Sequence, residues 1–158
     1  MFKGILSFVL LAISVSAESS ESDYSEAFIA AGFEKIDSQW VSDCGKTSLK
    51  NDWLYDAGVV DRNIDLNGDS IPEILIIEGG TFCAGNTGIV TYILQHEKNE
   101  WSLVTKFVGH AEILNSRSSD GWLDIMVGGP GFCFDVKAYS GGRYKLDRTE
   151  YDGKPCKH

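Results

Sequence analysis

The chain is short of positive charge: 14 lysines and arginines face 23 aspartates and glutamates, a formal net charge of −9 at pH 7. A surface this acidic repels phosphate backbones and anionic lipid headgroups, so no nucleic acid is expected as a ligand and cations or basic proteins are the favoured partners. Histidine is scarce, with only His96, His110 and His158 present. None lies near a serine in a nucleophile-elbow setting, and no Ser-His-Asp triad can be drawn. No Gly-Lys-Ser or GxGxxG spacing follows Gly79-Gly80 or Gly128-Gly129-Pro130-Gly131, which leaves these glycines to turns and bulges rather than to phosphate binding. None of the four cysteines, Cys44, Cys83, Cys133 and Cys156, belongs to a CxxC pair, so the usual spacing of zinc and thioredoxin-like redox sites is missing. Nor is there an apolar run of the roughly 20 residues that a helix needs to cross a bilayer.

The one apolar run of note is shorter and comes at the start. Lys3 is followed by about a dozen apolar residues and then Ser16-Ala17, the three regions of a secretory signal peptide. Cleavage after Ala17 starts the mature chain at Glu18, with no cysteine there to accept a lipid. Loss of Lys3 alone then takes the net charge from −9 to −10. Residues 18–158 suit one domain without a membrane span, secreted or periplasmic. Four cysteines in an exported chain read as two disulfides, with three connectivities open.

Residues 23–32 carry helix signals: Ser22 or Asp23 as N-cap, Glu26 early, Phe28 and Ala31 three apart, Gly32 as stop. Residues 36–41 are expected as a first strand and 42–57 as an ordered loop holding Cys44 and Trp53. From Val59 onward the apolar period is two, and the runs are short and broken by Gly, Asn and Asp. Strands are expected over 60–66, 73–77, 89–95, 101–108, 123–127, 133–139 and 144–148, with tight turns at 96–100 and 140–142. The expected fold is mainly β, a small antiparallel sheet sandwich or open barrel with one short N-terminal helix. Among the tryptophans, Trp40 and Trp101 lie on alternating strands and are expected in the core, whereas Trp53 and Trp122 sit beside polar residues and are expected nearer the surface. Glu78, Glu97 and Glu112 are weighed as acid and base partners, but read as solvated carboxylates.

The sequence also echoes itself. Asp69-Ser70-Ile71-Pro72-Glu73-Ile74-Leu75-Ile76 lies over Asp120-Gly121-Trp122-Leu123-Asp124-Ile125-Met126-Val127, and each copy runs on through glycines to Phe82-Cys83 or Phe132-Cys133. Two related turn-strand units, about 61–83 and 112–133, follow from this match, too few to close a propeller. If they pack side by side, Cys83 pairs with Cys133, and Cys44 with Cys156.

The first copy carries the strongest candidate for chemistry. Asp65, Asn67, Asp69 and Glu73 place oxygen side chains at relative positions 1, 3, 5 and 9, with the Ile71 carbonyl at position 7. Alternate residues of a tight loop can turn such oxygens inward to meet a hard cation such as calcium. Ser70 stands where calcium loops usually have glycine, and the same residues also make a polar β-turn. Upstream of Asp120 the second copy has Ser116, Arg117 and Ser118 in place of acids. A second ion is not expected there, and Arg117 can partly substitute for its charge.

The stretch from Asp65 to Ile77 and, more closely, that from Asp120 to Pro130 resemble the FG-GAP or VCBS-type repeat of integrin α-chains and of many bacterial exported proteins. The resemblance implies a calcium-binding loop joining two strands, with Asp65, Asn67, Asp69 and Glu73 as ligands. The rest of the mature chain, with Thr81-Phe82-Cys83, Gly129-Pro130-Gly131-Phe132-Cys133-Phe134 and Gly153-Lys154-Pro155-Cys156, resembles short exported proteobacterial proteins, a likeness that brings no activity with it. The expected function is therefore that of an exported binding or interaction module with a structural calcium and a basic protein partner, for instance as an inhibitor of a cationic envelope hydrolase. A small metal-dependent hydrolase using the 65–73 loop, or a purely structural envelope protein, are the competing classes.

Overall fold

A computed structural model describes residues 24–48 and 54–157. The expected leader, the caps Ser22 and Asp23, Trp53 and His158 lie outside them.

The described chain is mainly β and entirely antiparallel in its pairing. A short helix α1 (Ser25–Ala30) is followed by β1 (Glu34–Ile36) and β2 (Gln39–Val41), then by α2 (Asp43–Ser48), β3 (Asp56–Ile64) and β4 (Glu73–Gly79). After α3 (Thr81–Ala84) and a turn of 3-10 helix come β5 (Ile89–Glu97), β6 (Glu100–Val108), β7 (His110–Arg117), β8 (Leu123–Gly128), β9 (Phe134–Tyr139), β10 (Tyr144–Tyr151) and β11 (Lys154–Pro155). Strands β1 to β6 form one sheet in sequence order, and β7 to β11 form the second, again in order. One of the two sheets curls into a half-barrel. Each sheet is a meander: most connections are tight reversals, while the longer ones, between β2 and β3 and between β4 and β5, carry α2 and α3 and still return beside the strand they leave.

The first sheet is apolar on both faces. Ile74, Ile76, Tyr92 and Leu94 pack with Ala27 and Phe28 of α1 and with Phe33 and Trp40. Leu75 and Ile93, pointing the other way, join Ala111, Trp122, Ile125 and Tyr144 of the second half. Burial on both sides explains why 74–77 reads as an unbroken apolar run where a sheet with one wet face would alternate. The stacked rings of Phe28 and Trp40, 4.8 Å apart and 3° from parallel, seat α1 on the outer face.

The hairpins follow the turn chemistry of the sequence. Lys98 and Asn99 both have positive φ, 53° and 64°, between β5 and β6, and Gly141-Gly142 take 61° and 89° between β9 and β10. Such turns match the right-handed twist of the strands they join. Three expectations give way. Residues 36–41 are a hairpin turning at Asp37-Ser38 rather than one strand, and the expected loop at 42–57 contains α2. Strand β7 was not expected, because its outward residues are polar and its apolar ones few. Its place is set by pairing with β8, as in His110 against Gly128 and Ile113 against Ile125.

The disulfides are Cys44–Cys83 and Cys133–Cys156, which corrects the pairing expected from the echo. The two Phe-Cys units do not lie side by side in one sheet; each belongs to its own meander. Cys44 on α2 meets Cys83 on α3, while Cys156, whose N–H bonds to Thr149 O at 3.1 Å, is held beside the start of β9. Each bridge therefore lies within one meander: the first ties the β2–β3 connection to the β4–β5 connection, and the second ties the start of β9 to the tail after β11.

Candidate functional site: two related loops

The loop joining β3 to β4 is a turn tied by its own side chains. Asp65 accepts the Gly68 N–H through Oδ1 at 2.6 Å and the Ser70 N–H through Oδ2 at 3.0 Å. Asn67 Oδ1 accepts the Asp69 N–H at 2.8 Å, and Asp69 Oδ1 that of Ile71 at 2.7 Å. Short polar side chains favour this arrangement because they satisfy backbone donors that no strand partner reaches. Ser70 takes a left-handed φ of 70° to close the turn.

Glu73 lies beneath the loop, 1% exposed, at the first residue of β4. Its Oε2 accepts the Leu66 N–H at 2.8 Å, and its Oε1 accepts from Asn67 Nδ2 at 3.1 Å. The same Nδ2 donates to Asp69 Oδ2 at 2.9 Å. Burial pushes the Glu73 carboxyl up from 4.5 to about 7, against the pull of the Leu66 N–H, and the charges of Asp69 and Asp65 push the same way as burial. Asp65, Asn67, Asp69 and Glu73 are thus brought to one loop, while Ile71 stays at its exposed edge. The oxygen donors suit a hard cation. Among the described residues, however, no three His, Cys, Asp or Glu side chains converge as a metal-holding group. The Asn67 amide fills with its N–H the gap between Asp69 and Glu73, and turned over it would present an oxygen there.

The second loop, between β7 and β8, lies against the first: Leu123 N–H donates to Leu66 O at 2.8 Å. By the echo, Asp65, Asn67, Ser70 and Glu73 correspond to Ser116, Ser118, Gly121 and Asp124. Gly121 repeats the left-handed φ of Ser70, at 85°. Between Ile113 and Arg117 the β7–β8 register slips, with four residues on β7 spanning two on β8. This bulge brings Ser116 to Asp124, whose Oδ2 accepts the Ser116 hydroxyl at 2.7 Å and Arg148 Nη1 at 3.0 Å. Arg148 also reaches Asp147 at 2.8 Å and Glu150 at 2.5 Å. Hydrogen bonds to Glu150 and then Asp147 hold its guanidinium more firmly protonated than usual. Arg117, expected to stand in for an ion, spends Nη1 on the Leu66 and Gly121 carbonyls.

A third group was misread from sequence. Glu78 is not solvated but 1% exposed, receiving the hydroxyls of Tyr92 and, at 3.0 Å, Tyr55. Burial, and then the Glu78 carboxyl, raise the Tyr92 hydroxyl well above its ordinary range. Tyr55 in turn accepts the Ser42 N–H at 3.2 Å. A side chain at Gly45 would strike the Tyr55 ring, whose nearest atom lies 2.1 Å from an ideal Cβ. Glu97 and Glu112 are exposed, as expected. Trp122 is buried at 6%, stacked on Tyr139 with centroids 4.1 Å apart, against the expectation of a surface ring. His96 is on β5 rather than in a turn, with its ring 4.8 Å from that of Trp101, and His110 Nε2 lies 3.2 Å from Arg62 Nη2. A strand that alternates in sequence cannot reveal which polar residue another element will cover, so no sequence signal marked Glu78 or Asp124 as buried.

No helix among the described residues is long and apolar enough to cross a membrane. No family model, curated protein or solved structure matches this chain.

Proposed function

We propose that this chain is an exported binding module in which the 65–73 loop takes one structural calcium ion and the acidic exterior meets a basic protein partner, such as a cationic hydrolase of the cell envelope. The observation that carries the ion reading is the buried Glu73 carboxyl with Asp65 and Asp69 at the same loop, in the spacing of an oxygen-rich calcium loop. A divalent cation relieves the cost of ionising Glu73 and the repulsion from its neighbours. Asp65, Asn67, Asp69, Glu73 and the Ile71 carbonyl would hold it. The likeness to FG-GAP and VCBS-type loops supports the same ligands. Export is supported by the leader-like start and the two disulfides, and the basic partner by the net charge of −9.

Thermal unfolding of the oxidised mature protein, with calcium and with chelator, tests the ion. A ligand bound by the native state alone stabilises by about 2.7 kcal/mol at a hundredfold excess over Kd. The expected upward shift disappears in Asp65→Ala and Asp69→Ala. No shift at millimolar calcium sinks the metal reading. The partner is tested by titrating cationic envelope hydrolases at low and high salt, with binding expected to weaken steeply as salt screens the charges. Absence of binding at low salt refutes it.

A further inference from the structure

Where the first loop closes on itself, the second leaves a gap. Asn67 and Glu73 touch at 3.1 Å in the first copy. Their counterparts, Ser118 and Asp124, are each shorter, and among the described residues Ser118 Oγ and Asp124 Oδ1 have no hydrogen-bond partner although both atoms are buried. Asp124 as a whole is only 3% exposed. A buried acceptor without a donor costs about 1–3 kcal/mol, and an occupant of the space at its side is one way such a group is satisfied.

Ser118 and Asp124 also line a pocket of about 420 Å³, together with Arg117, Tyr139, Asp147 and Arg148 among others. This is within the range of small-molecule sites. Its chemistry narrows the occupant. The two guanidiniums and two carboxylates of the lining cancel formally, so the pocket itself draws neither a free anion nor a free cation. Arg148 is already committed to Asp124, Asp147 and Glu150, which leaves little of it for an anionic ligand. Arg117 has Nε and Nη2 unspent among the described residues, since its bonds to carbonyls use Nη1. Donors on Arg117, an acceptor on Asp124 and hydroxyls on Ser118 and Ser119 together suit a ligand that both gives and receives hydrogen bonds at neighbouring atoms. Tyr139 adds one aromatic wall, backed by Trp122 in stacked contact.

We propose that this pocket binds a neutral saccharide, with a ring hydroxyl donating to Asp124 Oδ1 and vicinal oxygens accepting from Arg117. The site lies beside the 65–73 loop, on whose Leu66 carbonyl Arg117 leans, but none of the proposed ion ligands lines it. The second copy of the repeat has thereby exchanged an acid-rich loop for a polar cleft: Asp65 becomes Ser116, Asn67 becomes Ser118 and Glu73 becomes the shorter Asp124.

The test is titration of the oxidised mature protein with glucose, N-acetylglucosamine and cellobiose, followed by Trp fluorescence and by amide chemical shifts. Saturable binding is expected, on the order of millimolar for a monosaccharide, with shifts centred on 117–124 and 138–148. Ser118→Ala removes a hydroxyl that holds no other group in place and weakens binding about fivefold, the worth of one neutral hydrogen bond. Ser118→Leu fills the cleft and abolishes it, with an unchanged near-ultraviolet spectrum as the check on folding. Asp65→Ala leaves saccharide binding intact while removing any calcium response, so that either reading can fail alone. No saturable shift by any of the three sugars overturns the proposal, as does binding that Ser118→Leu does not alter. Glucosamine or glucuronate binding where glucose does not also overturns it, in favour of a charged ligand.

Discussion

Glu73→Gln tests whether the buried carboxyl under the first loop governs stability with pH. Its folded value of about 7 stands above the ordinary 4.5. A raised value means that the unfolded chain gives up its proton first, so the stabilising effect of the protonated group is complete below about 4.5 and is lost as pH rises through about 7. At about 1.4 kcal/mol per pH unit, that span corresponds to about 3 kcal/mol as an upper bound. Glutamine keeps an oxygen for the Leu66 N–H and never ionises. Its amide meets that of Asn67 donor to donor, and turning Asn67 over would cost its bonds to Asp69, so the gain falls short of the full span. In chelator at pH 8 the variant is expected to be the more stable by up to about 3 kcal/mol, roughly 8–10 °C in Tm for a domain of this size. At pH 4.5 the two proteins should agree within about 1 kcal/mol. Urea unfolding across that range reads the difference directly. A gap that does not widen with pH, or a variant less stable than the parent at pH 8, refutes the reasoning. Under the proposed function, millimolar calcium reverses the order at pH 8, because only the carboxylate holds the ion.

Two further outcomes follow from the geometry. Ser70→Gly relieves a left-handed φ of 70° that costs an L-residue about 1–2 kcal/mol, partly offset by about 0.5–1 kcal/mol of added unfolded-state freedom. The net change is between neutral and about 1 kcal/mol stabilising, and a loss of more than about 1 kcal/mol by thermal unfolding contradicts it. Tyr92→Phe deprives the buried Glu78 of one of its two hydroxyl donors and is expected to cost about 1–3 kcal/mol in urea unfolding; an unchanged midpoint shows that the hydroxyl contributes nothing.

Much of the architecture was legible in the chain itself. The period of two from Val59 onward, the paired turn residues Lys98-Asn99 and Gly141-Gly142, and Gly32 after α1 are local signals. Local physics, in the form of side-chain alternation and positive φ, decides them without reference to distant residues. The Asp65–Glu73 loop is legible for the same reason, since Asp65, Asn67 and Asp69 bond to backbone atoms two to five residues away. The echo likewise pointed to the two related turns, one before β4 and one before β8, that follow from the match of 69–76 with 120–127.

What depends on elements far apart in sequence was not legible there. The cysteines were even in number and placed to pair, but which pairs form depends on the two units lying in separate sheets, a matter of how apolar faces share a core. Strand β7 is held by β8 rather than by its own alternation. Glu78 is buried because Tyr55 and Tyr92 arrive from other elements to receive it, and Trp122 because Tyr139 and Tyr144 enclose it. The cleft at Asp124 arises from two shortened side chains and a bulge whose consequence appears only when β10 brings Arg148 across. Sequence thus determined most of the strands, the tight turns and the acidic loop, where each residue answers to its neighbours in the chain. Burial, disulfide pairing and the cleft at Asp124 were left to tertiary structure, because each depends on a partner that only packing supplies.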